Sequence, residues 1–198
     1  MMSILNFDYE DPSALIDEVN DMMPMMDAVI ADLGLSDETA VQAVREGISP
    51  HIALGLSDDH LDAIFMTGLK SMQAGDVAQA QTVFFKLATL KAIDYRFWYA
   101  LGTTFQVQDR FAEAGRIYMV SLSLRATDVD GYLRLGECLL ASDEMQEALE
   151  CFQTAWALCD DGHGTDAQRD AAERLVTHMD ERMQTALADA VPLSSKGN

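Results

Sequence analysis

Apolar and small residues return along this chain with a period of 34. Gly68, Gly102 and Gly136 form one column, Ala80, Ala114 and Ala148 a second, and the aromatic rings of Phe84, Tyr118 and Phe152 a third. A large apolar side chain stands four residues before each glycine (Ile64, Trp98, Tyr132), and a less uniform column stands three after it (Ser71, Phe105, Leu139). Polar turns interrupt each unit at Ala74-Gly75-Asp76, Gln108-Asp109-Arg110 and Ser142-Asp143-Glu144. A glycine on one helix and an alanine on the next let two helices of a hairpin approach closely. The aromatic residue four positions after the alanine lies on the same helix face and fills the space beside it.

A two-helix unit of this length cannot bury its apolar face alone, so it stacks on its neighbours. This is the tetratricopeptide pattern. It predicts an all-α fold of three repeats in a superhelical stack, at residues 61–94, 95–128 and 129–162, between N-terminal helices and a C-terminal capping helix. Residues 1–60 then form an acidic helical segment, 61–162 the repeats, and 163–198 the capping helix and a short disordered tail. The repeated columns specify this fold and carry no information about a ligand.

The flanks read as helical. Ser57-Asp58-Asp59 is a boundary and a helix cap. Asp11-Pro12 opens an earlier helix whose stripe is Leu15, Val19, Met22, Met26, Ile30 and Leu33, and a shorter one is predicted from Asp37 to Gly47. Thr165-Asp166-Ala167-Gln168 is a capping box, followed by Ala167, Ala171, Leu175, Met179, Met183 and Leu187 at every fourth position.

Charge divides the chain unevenly. Residues 1–60 hold 13 acidic residues and one basic one, Arg45, a net of −12; residues 61–198 hold 20 and 12, a net of −8. The total of −20 repels a polyanion, which excludes nucleic acid as a partner. Hydrophobic residues make up 49%, enough for a packed core, yet no run is long and apolar enough to span a membrane and the start carries acids where a secretory signal needs bases. A cytoplasmic protein with no stable membrane association is expected. Cys138, Cys151 and Cys159 occupy helical positions among apolar neighbours and read as buried free thiols.

Catalysis has no support in the sequence. None of His51, His60, His163 and His178 has a partner at metal-ligand spacing, and phosphate-binding loops and nucleophile elbows are absent. Asp161-Gly162-His163-Gly164 falls between the last repeat and the next helix cap, as a loop would. The expectation is a protein that is no enzyme and uses no cofactor or metal.

A ligand would lie along the first helix of each repeat, which lines the concave side of such stacks. The inward positions are Phe65, Met66, Leu69 and Met72, then Arg96, Tyr99, Thr103 and Gln106, then Leu133, Arg134, Glu137 and Leu140. Phe65, Leu69 and Met72, at i, i+4 and i+7, make an apolar stripe on a surface that is ordinarily wet. It reads as a groove for an extended apolar segment, with Tyr99 and Arg96 or Arg134 available to the peptide backbone. Three such anchors contribute about 2 kcal/mol each, ordering a segment costs about 2–5 kcal/mol, and micromolar binding requires about 8 kcal/mol. One short peptide would bind weakly there, so tight binding needs further contacts.

Several runs are more specific than the repeat itself. Val83-Phe84-Phe85-Lys86-Leu87-Ala88, Asp94-Tyr95-Arg96-Phe97-Trp98, Gly131-Tyr132-Leu133-Arg134-Leu135-Gly136-Glu137-Cys138-Leu139-Leu140 and Glu147-Ala148-Leu149-Glu150-Cys151-Phe152 resemble the class II chaperones of type III secretion, over about residues 58–160. The resemblance implies a bacterial cytoplasmic chaperone that keeps hydrophobic translocator proteins soluble before export. It implies a client motif held in the concave groove by aromatic residues of the first helix, where this chain has Phe65, Leu69 and Met72, and dimerisation through the N-terminal region. The alternative is a tetratricopeptide scaffold that joins folded partners.

Overall fold

The computed structural model describes residue 42 and residues 45–190, with side chains as far as residue 185. The predicted stripe Leu15–Leu33 and the tail 194–198 lie outside the described residues. Of the short helix expected at 37–47, Gln42 and Arg45 are helical, and Gly47 stands at the end of that run with φ +87°.

Helices account for the rest. The first is a single turn, α1 (Pro50–Ala53); three hairpins follow as α2 (Asp58–Gln73) with α3 (Val77–Leu90), α4 (Tyr95–Val107) with α5 (Phe111–Leu124), and α6 (Val129–Ala141) with α7 (Met145–Asp160); α8 (Asp166–Ala190) closes the order. The all-α repeat fold is as the period predicts. The helices make two compact units, divided between Leu124 and Arg125.

The same device closes each hairpin. Gly75, Asp109 and Asp143 stand 34 apart and share a left-handed backbone, with φ of +80°, +58° and +63°. The next residue's N–H reaches back to the carbonyl five positions earlier, Asp76 to Ser71 at 2.9 Å, Arg110 to Phe105 at 3.0 Å and Glu144 to Leu139 at 2.9 Å. This is the glycine-type helix stop, here built twice on aspartate, one of the few side chains that tolerate the conformation.

In the unit that ends at Leu124, α2 packs on α3, α3 on α4 and α4 on α5. Its core holds Leu61, Ala80, Phe84, Leu87, Phe97, Leu101, Ala114 and Tyr118, each no more than 2% exposed. The glycines admit the rings: a Cβ at Gly68 would collide with the Phe84 ring, and one at Gly102 would lie 2.8 Å from Cε1 of Tyr118. The α1 turn is fastened to α3 through the buried His51, whose Nδ1 lies 3.2 Å from the Leu90 carbonyl and 2.8 Å from Oγ of Ser49.

In the unit from Arg125, α6 packs on α7 and α7 on α8. Gly136 abuts the Phe152 ring as Gly68 abuts Phe84. The α8 capping box forms as the sequence predicts, with the Gln168 amide N–H donating to Thr165 Oγ1 at 3.2 Å and the Thr165 N–H to Gln168 Oε1 at 2.9 Å. The buried face of α8 is the expected one in part: of the stripe, Met179 is buried, Ala171, Leu175 and Met183 are half-buried and Ala167 is exposed, the Leu187 side chain lying outside the described residues, while Ala172 and Val176 beside the stripe are buried as well. A strict four-residue step advances about 40° per step around a helix of 3.6 residues per turn, so a stripe that stays on one face alternates steps of four and three. The Asp161–Gly164 segment is the α7–α8 connection, where Gly162 takes φ +84° and Gly164 lies against Cys159 and Val129.

Candidate functional site

The Ser57 cap sets the phase of α2. Its Oγ accepts the His60 N–H at 3.3 Å while its own N–H donates to His60 Nδ1 at 3.1 Å. With the helix started there, Phe65, Leu69 and Met72 are half-buried and Met66 is 52% exposed. Phe65 is the most engaged of the four. Its ring centre lies 5.5 Å from that of Phe84 on α3 and 5.5 Å from that of Phe97 on α4, in tilted packing. The aromatic face of the first repeat therefore grows out of the core: Gly68 makes room for Phe84, and Phe84 supports Phe65.

Asp94 caps α4 by accepting the Arg96 N–H at 3.2 Å. The same carboxylate takes the Arg96 guanidinium in a two-point pair, Nε at 3.0 Å and Nη2 at 2.7 Å. Nη2 also lies 3.0 Å from Oδ1 of Asp62 on α2. The guanidinium covers two rings, with its central carbon 5.8 Å from the centre of Phe65 and 5.5 Å from that of Phe97. Burial alone would raise the Asp94 carboxyl, but the hydrogen bonds from Arg96 outweigh it and hold the group below its ordinary value; the Asp94 bond in turn raises Arg96.

Further along α4, the Tyr99 ring packs 5.6 Å from that of Tyr118. Tyr118 is the one polar member of its column, and its hydroxyl reaches the groove positions from below. It donates to Gln106 Oε1 at 2.7 Å and lies 3.2 Å from Thr103 Oγ1, whose own proton goes to the Tyr99 carbonyl at 3.1 Å.

The remaining sequence-predicted positions belong to the second unit. Leu133 packs with Tyr132 and Trp156 against the buried Val129, Ala155 and Ala172. Arg134 is exposed and pairs with Glu137 at 2.9 Å, and Leu140 is half-buried. The structure thus brings Phe65, Arg96 and the flanking α2 residues together, and holds Tyr99, Thr103 and Gln106 in one hydrogen-bonded row.

Two partners were missed by sequence reasoning: Asp62 and Asp94. Asp62 stands 34 residues before Arg96, so opposite charges share one repeat column, and Asp94 stands at cap spacing before α4. Both signals lie in the sequence, but a period read from apolar residues passes over them.

Cys138 and Cys151 are buried as expected, whereas Cys159, beside the α7–α8 connection, is half-buried. Burial pushes Cys138 and Cys151 up to about 12, and Cys159 is raised for the same reason. Among the described residues no group of three His, Cys, Asp or Glu could hold a metal ion, and no helix is long and apolar enough to cross a membrane.

No family model matches the chain. It is similar to several solved structures of repeat chaperones. A type III secretion complex from Aeromonas hydrophila matches with a TM-score of 0.68 at 21% identity, over 74% of this chain and 99% of that one. PcrH of Pseudomonas aeruginosa, solved with the chaperone binding region of PopD, matches with a TM-score of 0.62 at 25% identity, over 65% of this chain and 97% of PcrH. SycD, the type III secretion chaperone of Yersinia enterocolitica, solved with a peptide of the translocator YopD, matches with a TM-score of 0.61 at 21% identity, over 64% and 97% of the two chains. SycD has also been solved as an alternative dimer. The chain thus shares the helical-repeat fold of these chaperones. Its structural neighbours include class II translocator chaperones of type III secretion, the family that its sequence resembles.

Proposed function

We propose that this protein is a cytoplasmic chaperone of type III secretion that binds hydrophobic translocator proteins and keeps them soluble before export. The observation that carries the reading is the apolar face of α2, where Phe65, Leu69 and Met72 stay half-buried and Met66 is more than half exposed beside them. A membrane-inserting client needs its apolar segments covered in water, and a row of such side chains offers that cover. Structures of PcrH with the PopD region and of SycD with a YopD peptide support the assignment. Tyr99, Leu133, Arg134 and Leu140 are proposed as further client contacts, and self-association of the chaperone is proposed on the likeness to SycD.

The test is co-expression with the translocator substrates of the same secretion system. The wild type should retain a translocator in the soluble fraction as a stable complex, and Phe65→Asp should abolish it, because a charge on the half-buried face would have to be desolvated under an apolar client segment. Circular dichroism of the variant must show the wild-type helix content. A translocator that remains as soluble with Phe65→Asp as with wild type would remove this face from the account.

A further inference from the structure

We infer that Arg96 is a positioning residue for client binding, which acts through Asp62 to set the α2 face against α4. The inference rests on the client-face reading above. A guanidinium on a peptide-binding face is ordinarily read as a contact for backbone carbonyls or a carboxylate. Here three of the five N–H groups, on Nε and Nη2, are committed to carboxylates, to Asp94 at 3.0 and 2.7 Å and to Asp62 at 3.0 Å, so the guanidinium is held between α2 and α4 whatever its Nη1 meets.

The three groups belong to different elements with different duties. Asp94 is 10% exposed and fixed by its role as the α4 cap, so it anchors the guanidinium to α4. Asp62 lies on the first turns of α2, three residues from Phe65, and is 52% exposed. The pair therefore joins the starts of two consecutive first helices, in one repeat column. Between them the guanidinium lies over the Phe65 and Phe97 rings, at 5.8 and 5.5 Å, and covers one side of the Phe65 ring. Charge points the same way. One cation shared by two carboxylates leaves a net negative site, which would not attract an acidic client group.

The two roles of Arg96 differ in the sign of one mutational effect. If Arg96 touches the client, removing the Asp62 charge frees it and tightens binding. If Arg96 positions the face, the same change loosens it.

The experiment measures the affinity of fluorescein-labelled peptides of the PopD chaperone binding region and of the YopD segment by anisotropy, with wild type, Asp62→Asn, Asp62→Glu, Arg96→Lys and the Asp62→Asn/Arg96→Lys double variant. Asp62→Asn is expected to weaken binding about threefold, the scale of one partly exposed ion pair. Its unfolding midpoint should match the wild type, and Asp62→Glu should restore the affinity. The double variant should bind no more weakly than Arg96→Lys alone, because both changes break one linkage. Tighter or unchanged binding by Asp62→Asn, with the wild type binding normally, would overturn the positioning role and leave the client face standing. Failure of both peptides to bind the wild type would overturn the client face, and this inference with it.

Discussion

Gly68, Gly102 and Gly136 look equivalent in the sequence, yet the rings against them are not equally close. A Cβ at Gly68 or Gly136 runs into the Phe84 or Phe152 ring, whereas at Gly102 it would stand 2.8 Å from Cε1 of Tyr118. Alanine gains about 0.5–1 kcal/mol over glycine in a helix, and overfilling a packed site costs about 1–3 kcal/mol. Gly136→Ala should therefore lower stability by about 1–2 kcal/mol, and Gly102→Ala by less, as measured by urea unfolding. Equal losses at the two sites would show that the rings shift freely. The glycine, alanine and aromatic columns were legible because each stands for one contact made again in every hairpin. The Asp62–Arg96–Asp94 linkage was not, since charged positions are free to vary where apolar periodicity is not. Arg96 shows the consequence: its place on the groove was readable, and its commitment to two carboxylates was not.

Among the elements, α8 separates the pattern from its realisation. Its existence, its capping box and its place after the last repeat followed from the residues around Thr165. The face it buries followed only in part, because evenly spaced apolar residues wind around the helix while contact with α6 and α7 stays on one side, so Ala172 and Val176 join Met179 in the core. Within the expected stripe Met179 is fully buried, while Leu175 is only half-buried. Met179→Ala should cost about 2–4 kcal/mol and Leu175→Ala clearly less, in thermal or urea melts of the full chain. A larger loss at Leu175 would contradict the burial that places Met179 at the centre of the face. The hairpin stops were legible as turns, but that Asp109 and Asp143 adopt the conformation of Gly75 was not, since nothing in the residue type demands it.

For the whole molecule, a charge of −20 repels polyanions, so the apolar face of α2 stands out against an acidic surface. Burial of a few side chains on α2 gives only modest affinity, so a stable complex with a translocator requires contacts beyond that helix. The central claim is that the client lies on the α2 face. Site-specific photocrosslinking tests it most directly, with a photoreactive side chain in place of Met66, which is exposed beside Phe65, and, as a control, in place of Thr177, exposed on α8. Each variant is co-expressed with a translocator and irradiated in the cell. The account predicts a crosslinked chaperone–translocator species from position 66 and none from position 177. Crosslinking from position 177 with none from 66 would contradict it and move the client to the other unit.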